Sequence, residues 1–474
     1  MPNRPYTYYD LTLSICSTCL RKVYGKIVFQ DEKVYMLKHC AHHGHEKVLL
    51  ATDVEYYKQI RNYMKPSEMP VKFATPVKYG CPYDCGLCTD HEQHSCLSII
   101  EITDRCNLTC PTCYASSSPT HGSHRTVAEV EKMFDILVEH EGEADVVQIS
   151  GGEPTIHPNF FEIMDIAKTK KIHHLMLNTN GIKIAQDEEF AKKLATYMPA
   201  FEVYLQFDSF KPEVLKKIRG TDMTKVREKA LAHLNKYNIS TTLVVVLQKG
   251  QNTDEIGKII DFALTQPCVR GVTFQPVQVA GRNEDFDPMT ERYTMDEVRQ
   301  DIIAQSDIFT AKDLIPVPCN PDALVMGYAF KLAGKVLPLT RYLNPEELLN
   351  TAKNTITFEK DPKIREYAMK MFSTGTPVDK VSGVLKSLLC CLPQINAPGL
   401  GYNNLFRIII MKFMDAYDFD VRAVKKSCVH IVHKDGRIIP FETMNLFYRD
   451  EKEDYLKQLQ AESEPKQSSM RIIG

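Results

Sequence analysis

Between Ser98 and Phe274 the chain alternates six short apolar, β-branched runs with amphipathic helical patterns, and no other feature limits its fold so tightly. The runs are Ser98–Thr103, Asp145–Ile149, His174–Leu177, Val203–Phe207, Thr241–Leu247 and Gly271–Phe274. Between them lie helical patterns at Val127–Glu139, Asn159–Lys170, Glu188–Tyr197, Pro212–Ile218, Thr224–Tyr237 and Asp254–Leu264. Strands that alternate with helices are joined by right-handed crossovers into a parallel sheet. Six units predict an α/β fold, a partial, TIM-like (β/α)6 barrel. The active site of such a barrel sits at the C-terminal ends of its strands.

The end of the first run carries Cys106-Asn-Leu-Thr-Cys110-Pro-Thr-Cys113. Three thiolates on one loop can hold three irons of a [4Fe–4S] cluster and leave the fourth iron open to a small ligand. Later strand ends carry further polar groups. Ser150-Gly151-Gly152-Glu153-Pro154 follows the second run, and its glycines let backbone approach a ligand closely. The third run ends in Asn178-Thr-Asn180-Gly181, the fourth in Gln206-Phe-Asp208-Ser209, the fifth in Gln248 and the sixth in Gln275-Pro276. Each residue alone reads as a turn or a satisfied amide. Their order at successive strand ends marks a binding site.

The chain has fifteen cysteines, and their clustering argues for metal ligation in a reducing cytoplasm rather than for disulfides. Cys16-Ser-Thr-Cys19 and Cys40-Ala-His-His43 flank a hairpin pattern at Lys26–Leu37, with its turn at Gln30–Lys33, and read as a zinc-ribbon or rubredoxin-like knuckle. Such a site suits zinc or a single iron, with His43 or a further thiolate as its fourth ligand. Cys81-Pro-Tyr-Asp-Cys85-Gly-Leu-Cys88 repeats the C-x3-C-x2-C spacing, and Cys96 offers a fourth thiolate that would close an auxiliary cluster. Context separates the two triads: Cys81 follows a polar loop, whereas Cys106 follows a strand. Cys268 stands alone and reads as a small buried apolar residue.

The length of 474 residues implies more than one domain, and a formal net charge of -2 gives no field that would attract nucleic acid. No run reaches the roughly 18 uncharged apolar residues of a membrane-spanning helix. The start, Met1-Pro-Asn-Arg-Pro-Tyr, lacks the apolar core of a secretory signal, so a cytoplasmic protein is expected.

The cysteine triad, the Gly-Gly-Glu-Pro stretch and the six βα units together resemble the radical S-adenosylmethionine (SAM) superfamily. That resemblance implies reductive cleavage of SAM to methionine and a 5′-deoxyadenosyl radical, which abstracts hydrogen from an unactivated C–H bond. It makes Cys106, Cys110 and Cys113 the catalytic cluster ligands. It makes Gly151, Gly152, Glu153, Pro154, Asn178, Asn180, Gln206, Asp208, Gln248 and Gln275 the cofactor-binding set. Many members place an aromatic residue just before the third cysteine; here that residue is Thr112, with Tyr114 after it.

From about Cys16 to Phe441 the chain also resembles the archaeal tetraether lipid synthases and their uncharacterised relatives. The likeness includes Ile315-Pro-Val-Pro-Cys-Asn-Pro-Asp322 and Asp435-Gly-Arg-Ile-Ile-Pro-Phe441. It implies one or two auxiliary [4Fe–4S] clusters and one mononuclear iron or zinc, with Cys319, Cys390, Cys391 and Cys428 as a C-terminal, SPASM-like ligand set. Where such relatives often place a cysteine after Pro-Phe, this chain has Glu442. The implied substrate is a long lipid chain or another hydrophobic molecule, joined by C–C coupling or otherwise functionalised at C–H. A low-potential ferredoxin- or flavodoxin-type donor would supply electrons, and peripheral contact with the inner membrane face is compatible with the substrate. The apolar stretches Val384–Leu392 and Leu405–Met414 read as core helices or, alternatively, as a hydrophobic tunnel. Competing readings are a maturase of peptides, a methyltransferase acting on a cofactor, for which no cobalamin-type domain precedes the barrel, and a multi-cluster electron carrier.

The expected organisation is a metal-binding N-terminal domain over 1–72, an auxiliary-cluster segment over 73–97 and the barrel over 98–300. A C-terminal auxiliary-cluster and substrate region follows over 301–450, then a polar, disordered tail over 451–474.

Overall fold

The computed structural model describes residues 4–64, 68–283, 286–332, 335–342, 404–449 and 452–464. At the N-terminus β1 (Thr7–Ile15), β2 (Lys22–Gln30), β3 (Lys33–Cys40) and β4 (Gly44–Ala51) form an antiparallel meander in chain order. The β2–β3 turn holds Asp31 and Glu32 at φ of 51° and 59°, two left-handed residues whose twist matches the flanking strands. Alternation buries Val34 and Met36 of β3 against Ile27. Lys38 points the same way and is also buried, and its ammonium donates to Ile15 O at 3.0 Å, Ala416 O at 3.0 Å and Tyr417 O at 2.7 Å. Those bonds dock the meander onto the C-terminal part of the chain.

The six predicted strands are present as β5 (Leu97–Thr103), β6 (Ala144–Gly151), β7 (Ile172–Thr179), β8 (Phe201–Gln206), β9 (Thr241–Leu247) and β10 (Val269–Pro276). They pair in parallel, each with its successor. The crossover helices lie close to their predicted bounds, for example Val127–Glu141 and Thr224–Lys236. A capping box explains the sharp start of the first: the Thr126 hydroxyl accepts from Glu129 N–H, and the Glu129 carboxylate accepts from Thr126 N–H. Nearly every residue of these strands is buried, because helices cover one face of the sheet and the barrel interior takes the other.

The sheet does not end with the sixth strand. β11 (Leu324–Leu332), β12 (Leu405–Met411), β13 (Val429–Val432) and β14 (Ile438–Pro440) extend it at both edges. β12 runs parallel to β10 and β13 runs parallel to β5, while β11 and β14 close the outside antiparallel. Part of the region expected to follow the barrel therefore belongs to its sheet, where it covers edges that would otherwise expose unpaired backbone. Leu405–Met414 is accordingly no core helix: Ile408, Ile409 and Ile410 favour a strand, and neighbours pair with them on both sides.

Two further expectations change. Lys452–Ser463 forms a helix where a disordered tail was predicted, since Leu456 and Leu459 share one buried face. That helix is tied to the N-terminal meander by a two-pronged Arg21–Glu462 bond and by Tyr455 OH donating to Cys19 O. Val384–Leu392, with Cys390 and Cys391, lies outside the described residues.

One buried charge network fixes β12 in place. The Glu202 carboxylate on β8 accepts from the Arg407 guanidinium on β12 at 2.7 and 2.8 Å, and from the hydroxyl of Thr242 on β9; His174 of β7 lies 3.3 Å away. Burial opposes ionisation, but Arg407 and then His174 outweigh it and hold the Glu202 carboxyl well below the usual carboxylate range. A depressed folded-state value contributes stability above the ordinary carboxyl pKa, and that contribution fades as the solution is acidified toward the depressed value. Replacing Arg407 with Met removes the guanidinium from the buried Glu202 carboxylate and leaves it only Thr242 and His174 among the partners named above, which is expected to cost about 3–5 kcal/mol at neutral pH in urea unfolding. The difference between the variant and the parent shrinks in acid.

Candidate active site and metal centres

Cys106, Cys110 and Cys113 lie on the loop after β5, at the C-terminal mouth of the barrel. They line a cavity together with Gly151, Gly152, Glu153, Asn178, Asn180, Gln206 and Gln275, so most of the predicted cofactor set converges. Burial pushes the Cys106 thiol up to about 12, so iron binding there displaces a proton. A Cβ on Gly151, at φ +134°, would meet Thr103 O at 2.1 Å, and one on Gly152 would meet Arg105 O at 2.2 Å. The two glycines are thus what allows the β6 end to lie on the cluster loop, where Gly152 N–H donates to Thr103 O at 2.8 Å and Glu153 N–H to Arg105 O at 2.9 Å.

Some predicted residues play other parts. The Glu153 carboxylate is fully buried and accepts from Thr155 N–H and its hydroxyl, Thr179 hydroxyl and Asn180 N–H. It therefore staples the β6 and β7 loops together. Pro154, Asp208 and Gln248 are not on the cavity wall. Asp208 is wholly buried at φ +62°, and it is held by Arg219 at 2.8 Å and by Arg227 at 2.8 Å. Its function is to aim Arg219, which does line the cavity and also donates to Gln206 at 2.7 Å. Gln248 reaches Thr112 Oγ1 at 3.4 Å.

Several residues that shape the site had no motif to announce them. Arg282, more than 160 residues along the chain, donates to Cys110 O at 2.5 Å and Ser117 O at 2.9 Å and so clamps the cluster loop. Gln278 Oε1 is buried on the wall with no hydrogen-bond partner among the described residues, as befits a group awaiting a ligand. The same wall has an apolar part formed by Leu97, Ile99, Tyr114, Met411, Phe413 and Phe441. Its ring centroids lie 4.1 Å apart for Phe413–Phe441 and 5.0 Å for Tyr114–Phe441. The amides come from β6 to β8 and β10, with Tyr204 and Val246 between them, and the other apolar residues come from β5, the cysteine loop, the end of β12 and the segments beyond β12 and β14.

The N-terminal knuckle gathers Cys16, Cys19, Cys40 and His43. Cys16 Sγ and Cys40 Sγ lie 3.5 and 3.6 Å from His43 Nδ1, and Cys19 Sγ lies 3.8 Å from Cys40 Sγ. These edges fit one tetrahedral metal, with His43 in the fourth position. Burial works against ionisation of Cys40, but backbone N–H groups and the His43 ring prevail and lower its thiol to about 6. Cys81, Cys85 and Cys88 are electrostatic neighbours of one another. Cys96 does not join them, as had been expected. It lies against Cys319 and Cys428, all three sulfurs within 4.8 Å, because β13 pairs with β5 and brings Cys428 to the start of that strand. The buried Glu442 carboxylate is instead the electrostatic neighbour of Cys85 and Cys428. Cys268 is fully buried in the barrel core, as its isolation suggested.

A barrel bearing an open three-cysteine loop over a glycine-floored cavity defines a radical SAM enzyme. Residues 100–263 match the family model for the radical SAM superfamily, and residues 8–52 match that for the HMPTM N-terminal zinc ribbon domain. The 7,8-dihydro-6-hydroxymethylpterin dimethyltransferase of Methanocaldococcus jannaschii is 30% identical over an alignment covering 94% of each chain. The chain belongs to the radical SAM superfamily and, within it, to the family of that archaeal protein. A GTP 3′,8-cyclase of Syntrophomonas wolfei is 31% identical over 40% of this chain and 57% of its own. The solved structure of Streptococcus suis SuiB bound to S-adenosylmethionine overlaps 44% of this chain and 46% of that one, with 15% identity and a TM-score of 0.37. As a member of the superfamily, this enzyme uses a [4Fe–4S] cluster and SAM, and its cysteine groups fit auxiliary metal sites. Among the described residues no helix is long and apolar enough to cross a membrane.

Replacing Gly152 with Ala forces the cluster loop to move. SAM cleavage is expected to fall on the order of 100-fold, the scale of a displacement near 1 Å at a reacting centre, in an anaerobic assay of 5′-deoxyadenosine. Cys40→Ser should remove one metal equivalent while acid-labile sulfide stays constant, as read by elemental analysis.

Proposed function

We propose that this radical SAM enzyme abstracts hydrogen from a long lipid chain and joins or otherwise functionalises the carbon so exposed. The observation that carries the reading is the apolar part of the cavity wall, where Met411, Phe413, Tyr114 and Phe441 line the same cavity as the three cysteines. A saturated chain has no polar handle, so van der Waals contact and exclusion of water must hold it. Cys106, Cys110 and Cys113 would hold the [4Fe–4S] cluster, which when bound and reduced would supply the electron for reductive cleavage of SAM. The residues of the chain do the rest: Arg282 and the Gly151–Gly152 floor fix the cysteine loop, and the amides of Asn178, Gln206 and Gln275 offer donors and acceptors to the polar parts of SAM. The aromatic side receives the substrate. Cys106, Cys110 and Cys113 are assigned to the catalytic cluster, and Cys81, Cys85 and Cys88 to an auxiliary one fed by a low-potential donor.

A second reading follows from the archaeal relative, whose name gives it methyl transfer to a pterin. The amide row Gln148, Asn178, Gln206 and Gln275 would suit the edges of such a heterocycle and favours it.

The two readings part in one experiment. Reconstituted enzyme with SAM and dithionite is given either lipids extracted from the source cells, in detergent, or a dihydropterin. Lipid-dependent 5′-deoxyadenosine, with a mass change of the lipid, supports the first reading; methylated pterin with inert lipids overturns it. Phe441→Ala is expected to lower lipid-dependent turnover at least 10-fold while SAM cleavage without substrate persists.

A further inference from the structure

We propose that Cys96, Cys319 and Cys428 form a second mononuclear metal centre, structural in role and separate from every iron–sulfur cluster, with His94 beside Cys96 as the imidazole nearest its fourth position. Cys96, Cys319 and Cys428 come from three distant parts of the chain, are each at most 2% exposed, and bring their sulfurs within 4.8 Å of one another. Cys319 Sγ lies 3.6 Å from Cys428 Sγ, and His94 Nε2 lies 3.5 Å from Cys96 Sγ. A tetrahedral zinc with bonds near ~2.3 Å to sulfur sets its ligand atoms about 3.8 Å apart. The knuckle shows those same edges, at 3.5, 3.6 and 3.8 Å. A four-iron cluster spreads its ligating sulfurs over separate corners of a cube and cannot bridge so small a space. In neither C-x3-C-x2-C triad do all three sulfurs lie within 4.8 Å, as ligands spread around a cluster should not.

His94 is the imidazole beside the three sulfurs, close to Cys96 but not within 4.8 Å of all of them. Its Nδ1 meets the buried carboxylate of Glu141 at 3.2 Å, and the other oxygen of that carboxylate accepts from Ser95 N–H at 3.1 Å. A carboxylate behind one ring nitrogen turns the other toward the metal and fixes its tautomer. Glu68 and Asp145 also lie 3.7 and 3.9 Å from Nε2, at the rim. None of Cys96, Cys319, Cys428 and His94 is on the cavity wall, which sets the centre apart from the cavity beside the cysteine loop. Leu97 N–H donates to Cys428 O at 3.0 Å, and Gln93 reaches Cys319 O at 3.4 Å, so the metal would lock β13 and the loop after Pro316 onto the first barrel strand.

The test uses the full-length protein, purified anaerobically and analysed for zinc, iron and acid-labile sulfide. Cys319→Ser is expected to lose one metal equivalent with sulfide unchanged. Loss of about four irons together with their sulfide, or no loss at all, would overturn the proposal. Should that variant not fold, cobalt(II) substitution reads the same site in protein with the knuckle removed by Cys40→Ser. One tetrahedral cobalt with thiolate charge-transfer bands is expected to remain, and its absence counts against the centre. His94→Cys should strengthen those bands, whereas an unchanged spectrum removes His94 from the ligand set.

Discussion

The pairing of Glu202 with Arg407 in the barrel interior is the contact on which the rest of the architecture turns. Six parallel strands leave two open edges, and β12 closes one of them only by bringing a guanidinium into a dry interior. Burial of that charge is tolerable because a carboxylate and the Thr242 hydroxyl meet it there. With β12 so fixed, Met411 at its end and Phe413 beyond it reach the cavity and add to its apolar lining.

The opposite edge follows the same logic with different chemistry. β13 lies beside β5, so Cys428 falls next to Cys96, and the chain past β14 returns Phe441 to the cavity. The C-terminal segment thus serves the sheet, the metal groups and the binding cavity at once. The N-terminal meander is held to it through Lys38, and the final helix is held to the meander through Arg21 and Glu462.

Local signals carried far. The six strands and their crossover helices lie close to where periodicity placed them, because each is specified by its own apolar pattern and by caps such as Thr126 and Glu129. The Cys106 loop and the glycines opposite were equally legible as short motifs at strand ends, although the contact between them spans two strands. Leu405–Met414 misled because a continuous apolar run has no period and fits helix and buried strand alike. The helix at Lys452–Ser463 was hidden because two leucines are a weak signal until a partner surface exists. Arg282 and Gln278 carried no signal, as nothing near them in the chain identifies the cysteine loop that the first clamps or the cavity that the second lines.

The sequence by itself determined the barrel, the three-cysteine loop and the metal-binding knuckle, all of which depend on short spacings and on side chains that act close to their own backbone. Tertiary structure decided which sulfurs meet. Cys96 is eight residues from Cys88 and 223 from Cys319, yet the parallel registration of Val429 with Leu97 places it with the distant cysteines. It also decided that the cavity has an apolar side, because the residues on that side come from strands that pair across the whole length of the chain.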